Sequence, residues 1–329
     1  MSIIKKILPL WAKTSISIFQ AEICRLPAKL VLAHMWRSFA QNGGCGEKGK
    51  LQAEQAVQKV TYAWLKKQYG TLAEQCAAEY DVGQPVPNAP IWVFWWQGAQ
   101  NAPPIVQRCI GSVIANAGSH PVHIVDQWNY QKFVSIPSHI EAKRNNGIIT
   151  LTHFSDYLRM SLLATHGGLW LDATIYVTDN LQHIFQHPNY TVRNPGFDPM
   201  NISAWNWSGF AFGCQKQFAL PRTVLRLFDA YWADHDYLAE YFLIDYMIRL
   251  VYDSNPLVRQ CINNIPPNNI NLYYYQENFN LSAEGMSSPI DTWLFKLSWK
   301  SEYLIQTASG EETLYHRWLC ETEGLLCQK

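Results

Sequence analysis

Apolar and polar positions along the chain follow two rhythms. At the N-terminus Ile3, Ile4, Ile7, Leu8 and Trp11, then Ile16, Phe19, Ile23, Leu26 and Leu30, recur at steps of three and four. That is the period of a helix, and Pro9 and Pro27 interrupt it. A Gly-rich stretch (41–50) follows, and a helix is expected over about 51–69. After the turn-rich run 83–90, the apolar block 91–96 predicts a fully buried strand. Pro103 and Pro104 start a helix to about Ala115, and 121–126 predicts a second strand. A helix is expected over 152–166, ended by Gly167 and Gly168, and then a strand over 169–177. Helices over 218–234 and 238–252 and a strand-like run at 294–300 complete the pattern. Alternating strands and helices predict an α/β protein with a wound, mostly parallel sheet.

Composition narrows this picture. Among 329 residues, 16% are charged and 14% aromatic, which opposes intrinsic disorder. The formal net charge is zero, which excludes a generically basic nucleic-acid binder. The zero is a cancellation: residues 1–80 carry 11 basic and five acidic side chains, and the remainder is acidic by the same margin. Two units are therefore expected. Residues 1–85 form a helical, basic segment whose first 40 residues suit either an anionic membrane surface or docking on the main domain. Residues 86–329 form the main domain. The eight cysteines include no C-x-x-C pair or zinc spacing, so they are expected to be reduced and to pack as small apolar groups. In 41–50, Gly44, Gly49 and Lys50 approach a phosphate-binding loop, but no strand precedes them and Leu51 replaces the metal-binding hydroxyl, so the stretch reads as a linker.

Candidate chemistry is concentrated in 153–179. Asp156 and Arg159 are three apart on one predicted helix and share a face. The following strand delivers Asp172, and ligands in wound sheets sit beyond the carboxyl ends of strands. An arginine between two aspartates there suits a diphosphate with a hard metal ion and the hydroxyls of a nucleotide. The same spacing equally fits a helix-face ion pair beside a solvated strand-end aspartate.

The run Ser155-Asp156-Tyr157-Leu158-Arg159, followed by Gly167-Gly168-Leu169-Trp170-Leu171-Asp172-Ala173-Thr174, resembles the capsular polysaccharide synthesis family of glycosyltransferases. That family is related to enzymes with a D-x-D motif, which share S/T-D-x-x-R and then G-G-x-x-x-D-x-D. The resemblance covers about 88–315 and implies a GT-A-like, Rossmann-like fold with flanking helices and an N-terminal helical appendage. It implies transfer of a sugar from a nucleotide diphosphate sugar, a UDP-sugar by analogy, to a surface polysaccharide or lipid-linked oligosaccharide. It also implies a cytoplasmic enzyme, peripheral on the inner face of a bacterial membrane.

Residue by residue, the resemblance assigns Asp172 and Arg159 to catalysis and Asp156, Arg159 and Gly168 to donor binding. Trp96 matches a tryptophan that stacks on the base. Leu297-Ser298-Trp299-Lys300 is similar to a G-S-W-K closing segment, so Ser298, Trp299 and Lys300 would meet the diphosphate. Asp172, with the hydroxyls of Thr174 and Ser298, would hold Mn2+ or Mg2+. Thr174 stands where the relatives carry the second acid, which weakens the expected metal site. Asp245, in the family-typical run 241–246, would act on the acceptor side, as general base if the reaction inverts configuration. Asn206 and Ser208 would hydrogen-bond sugar hydroxyls. Retention is the default from the D-x-D relatives. A toxin-like transferase acting on protein and a non-catalytic sugar-binding module are the competing readings.

Overall fold

The computed structural model describes residues 27–196 and 199–320. The chain opens with α1 (Ala28–Phe39), a π-turn, and the 33-residue α2 (Glu47–Glu79). Helix α2 runs past both ends of the expected 51–69. Gly70 does not stop it, because Ala53, Val57, Thr61, Leu65, Tyr69, Ala73 and Cys76 form one continuous buried stripe. Tertiary burial of that stripe outweighs a single glycine, which costs about 1 kcal/mol in a helix.

The main sheet contains β1 (Ile91–Phe94), β2 (Val122–Val125), β3 (Gly168–Asp172), β5 (Asn189–Thr191) and β6 (Ala211–Cys214), in the order β2-β1-β3-β6-β5. β1 pairs in parallel with β2 and β3, and β6 pairs antiparallel with β3 and β5. Four strands therefore run one way and β6 runs against them, an α/β mixed sheet of the expected kind. A second sheet pairs β4 (Ile175–Val177) antiparallel with β7 (Leu294–Lys296).

The flanking helices are α3 (Pro104–Ala115), α4 (Ser138–Asn145), α5 (Leu151–His166), α6 (Ala219–Asp234), α7 (Leu243–Ser254), α8 (Pro256–Asn263), α9 (Tyr274–Asn278) and α10 (Leu314–Cys320). The sheet buries both faces, which explains the near-continuous apolar runs of its central strands β1 and β3. Trp92 and Trp170 point into one core with α2, α5, α6 and α7, where Leu65, Tyr69 and Tyr157 also sit. Ile91, Val93, Leu169 and Leu171 point into a second core with α3 and the β4–β7 sheet. The N-terminal helices thus share a core with the main sheet. Cys109 and Cys214 are buried free thiols, with burial pushing their ionisation up.

Two further expectations change. The apolar run 169–177 is two strands in different sheets, because Ala173 and Thr174 turn the chain after Asp172 and β4 leaves to pair with β7. The expected helix 238–252 begins only at Leu243, after a segment in which Glu240 is held in buried ion pairs and Tyr241 gives its carbonyl to His153.

Candidate active site

Thr150 caps α5 by accepting from the His153 amide, and Gly167 ends it with φ +69°. Gly168 follows at φ +96°, where a Cβ would lie 2.0 Å from the Pro90 carbonyl oxygen. Only glycine fits there, so Gly168 sets the close approach of β3 to Pro90 at the entry to β1, and it does not line the cleft described below. The result fixes Asp156 and Arg159 of α5 against Asp172, the last residue of β3.

Arg159 forks between two carboxylates. Its Nη1 is 3.2 Å from Asp156 Oδ1, and its Nη2 is 3.2 Å from Asp172 Oδ1. Its guanidinium also lies 5.0 Å from the centre of the Trp170 ring. Trp170 projects to the same face as Asp172, two residues on, and its indole N–H donates to Asp172 Oδ1 at 3.0 Å. From the other side Lys296 Nζ reaches Asp172 Oδ2 and Thr174 Oγ1, each at 2.9 Å. The register of β4 on β7 places it there: Lys296 lies opposite Ile175, and the Leu297 amide donates to the Thr174 carbonyl.

Asp156, Arg159, Asp172 and Lys296 line a cleft of about 460 Å³ with Asp245 on its α7 wall. Asp245 accepts from the Trp207 indole at 3.0 Å and from the Asn201 amide at 3.4 Å. The three aspartates differ electrostatically. Burial raises Asp156 to about 7, against the pull of Arg159 and with help from the negative charge of Asp172 and Asp245. Burial likewise raises Asp245 to about 6, opposed by its Trp207 and Asn201 hydrogen bonds. Burial also works to raise Asp172, but Lys296 and Arg159 together hold it below the ordinary carboxylate range. Asp172 is therefore the fixed anion of the cleft, and the other two sit near the point of proton exchange.

The structure gathers Asp156, Arg159, Asp172, Ser208 and Asp245 along one cleft. Ser208 turns its hydroxyl onto the Val192 carbonyl, and Asn206 turns its amide to Ser203 and Arg193. Trp96, Ser298, Trp299 and Lys300 do not line the cleft. Trp96 packs among Tyr130, Phe154 and Arg144. Ser298 Oγ accepts from the Lys300 amide, Lys300 lies over the Trp299 ring, and Trp299 meets Trp95 edge-on while half exposed. Motif matching points to Lys300 and passes over Lys296. Lys296 has a signal of its own, as the one cation inside the apolar run Leu294–Leu297.

Asp172 and Thr174 are the residues that a D-x-D comparison offers to Mn2+ or Mg2+. Asp172 Oδ1 already accepts from Arg159 and Trp170, Oδ2 accepts from Lys296, and the Thr174 hydroxyl oxygen accepts from the same ammonium. Among the described residues, no group of three His, Cys, Asp or Glu side chains is placed to hold a metal. These residues do not fit a resident divalent ion, which needs several free oxygen ligands.

The model for the capsular polysaccharide synthesis protein family matches residues 45–318. The chain belongs to that family. The match takes in α2 as well as the sheet. Two fungal proteins are similar over shorter stretches. The O-glycosyltransferase PaGT of Phomopsis amygdali is 28% identical over 104 residues, 29% of this chain and 26% of that protein. The O-glycosyltransferase braB of Annulohypoxylon truncatum is 31% identical over 121 residues, 34% of this chain and 29% of that protein. The matched stretches thus span less than a third of these relatives' length. Among solved structures, the PaToxG glycosyltransferase aligns with 63% of this chain and 82% of its own at 12% identity, with a TM-score of 0.37.

Proposed function

We propose that this protein is a glycosyltransferase that moves a sugar from a nucleotide diphosphate sugar to a hydroxyl of a growing surface polysaccharide or lipid-linked oligosaccharide. The observation that carries this reading is Arg159, forked between Asp156 and Asp172 at the carboxyl end of β3 and opening onto a cleft faced by Asp245. Family membership supports it, as does the similarity to two fungal proteins named O-glycosyltransferases.

In this reading Arg159 and Lys296 meet the negative charge that develops on the departing diphosphate, the dominant electrostatic contribution in such a step. Asp156 and Asp172 accept from hydroxyls of the donor. Asp245 lies on the acceptor side, and its raised ionisation suits a group that exchanges a proton near neutral pH. The test is donor hydrolysis and transfer with a panel of nucleotide sugars. Asp172→Ala protein that remains folded should lose at least about a hundredfold in turnover, and near-normal turnover would sink the assignment. NMR of the product anomer then separates retention from inversion, and only inversion requires Asp245 as the base.

A membrane-bound acceptor has its own support. Helix α1 buries Leu30, Ala33, His34 and Arg37, while Leu32, Met35, Trp36 and Phe39 stay exposed at steps of three, one and three. That is one apolar face, with the exposed Lys29 beside it. Residues 1–26, the rest of the expected membrane-contacting segment, lie outside the described residues. No described helix is long and apolar enough to cross a membrane. Salt-sensitive flotation with vesicles of anionic lipid, lost in Leu32→Asp/Phe39→Asp protein, is the expected outcome.

A further inference from the structure

We infer that Lys296 takes the place of a divalent cation in this cleft, so that the protein binds and cleaves its nucleotide diphosphate donor without a metal ion. The inference rests on the transferase reading above and concerns what holds the diphosphate.

Three observations converge on Lys296. Its ammonium sits 2.9 Å from Asp172 Oδ2 and 2.9 Å from Thr174 Oγ1, bridging the two positions from which a metal would be held. An ammonium has three donors, and these contacts use two, leaving the third for an anionic oxygen in the cleft that Lys296 lines. The backbone builds the placement: the β4–β7 register and the bond from the Leu297 amide to the Thr174 carbonyl hold Lys296 against the β3–β4 turn.

Charge arithmetic agrees. A divalent ion bound to a carboxylate at position 174 would carry one net positive charge. Thr174 is neutral, and with the Lys296 ammonium beside it the same spot also carries one positive charge. The diphosphate therefore meets the same local charge from a covalently tethered cation. A divalent ion added on Asp172 Oδ2 would share that oxygen with an ammonium and be repelled by it.

The transfer balances without a metal. The bond from the anomeric carbon to the diphosphate oxygen breaks, and its electron pair stays on the diphosphate. The acceptor hydroxyl oxygen bonds to the anomeric carbon. Its proton ends on the released diphosphate, directly or by way of Asp245. Lys296 and Arg159 supply the positive charge that stabilises the leaving group and are not consumed.

The test measures binding of UDP, GDP, ADP and CDP to full-length protein by calorimetry, in EDTA and in Mn2+, and then donor hydrolysis under both conditions. At least one diphosphate is expected to bind with a Kd that differs less than threefold between EDTA and Mn2+, with hydrolysis equally insensitive. Lys296→Met should weaken that binding at least tenfold in EDTA. The paired change Thr174→Asp/Lys296→Ala, which restores a second carboxylate, should make binding depend on Mn2+. Wild-type binding that appears only with Mn2+ overturns the metal-free assignment and leaves the transferase reading intact. Absence of binding to every diphosphate under both conditions overturns the transferase reading itself, and this inference with it. The wild-type comparison stands even if a variant fails to fold.

Discussion

Arg37 on α1 and Arg159 on α5 are each buried and each fork between two carboxylates, yet they sit in opposite kinds of surroundings. Arg37 reaches Glu54 on α2 at 3.3 Å and Glu240 before α7 at 2.9 Å, with the His34 ring nitrogen also 2.9 Å away. Its side chain and both partners are 13% exposed or less, so the network is sealed and joins α1 to the rest of the fold. Arg159 reaches Asp156 and Asp172 at 3.2 Å, but the Asp172 side chain is 30% exposed, toward a cleft. A second cation, Lys296, presses on Asp172 from the far side. Burial and ion pairing are common to both sites. Room for a ligand beside an excess of pairing groups is found only at the second.

The comparison breaks first on substitution. Arg37→Ala leaves Glu54 and Glu240 buried with their cation gone, and is expected to cost about 3–5 kcal/mol of stability. The turnover of whatever folds should be unchanged. Arg159→Lys keeps the charge but loses the fork, so turnover should fall about 10²- to 10³-fold. Its melting temperature should drop far less than that of Arg37→Ala. Thermal unfolding measured beside single-substrate kinetics on both variants checks this. Equal loss of turnover in the two would erase the distinction.

The two networks were not equally legible in the sequence. Asp156 and Arg159 are three apart and Asp172 closes the next strand, so local periodicity places all three, and the alternation of elements places the sheet around them. Arg37, Glu54 and Glu240 are joined only by tertiary packing, and no spacing rule connects them. Lys296 falls between these cases. The strand that carries it is visible, but its partner β4 is not, because the apolar run 169–177 shows no break where Ala173 and Thr174 leave the main sheet. Without that break, the register that brings Lys296 to Asp172 cannot be drawn. The full length of α2 is hidden for a similar reason: the buried stripe that carries it through Gly70 depends on packing against α6 and α7.

Acidity should separate the networks in sign. Burial lowers the His34 ionisation below its ordinary value, opposed by Glu240 and aided by Arg37. A depressed histidine contributes stability that is present above about pH 6.5 and lost as pH falls through the folded value. Asp156 is raised to about 7. Its contribution is fully present below the unfolded value of about 3.9 and is lost as pH rises through 7. Asp156→Asn should therefore flatten a decline in melting temperature between about pH 4 and 7. His34→Gln should flatten a rise on approaching about pH 6.5 from below. Melting curves across pH 4–8 for the two variants and the wild type check both slopes, and a shared slope of either sign would contradict the assignment.

The smallest effect expected tests how tightly Arg159 is held. Gly209 lies on the cleft wall, and a Cβ there would come within 2.7 Å of Arg159 Nη1 and 3.8 Å of its Cζ, with nothing else within 4 Å. Its φ is not in the left-handed region, so alanine is permitted by the backbone. The clash is with the far end of a side chain and not with backbone, so a shift of the guanidinium by about 0.7 Å restores ordinary contact. Gly209→Ala should therefore change the melting temperature by only a degree or two, on the order of 0.5 kcal/mol or less. Displacing the guanidinium from Asp156 should nevertheless lower kcat/KM by about three- to tenfold, roughly 1 kcal/mol of transition-state stabilisation. A drop carried by kcat with KM unchanged would place the contact in the transition state, as the role proposed for Arg159 at the departing diphosphate requires. Unchanged kinetics would mean that Arg159 tolerates displacement as a structural ion pair does, and the difference from Arg37 would then rest on Lys296 and the cleft alone.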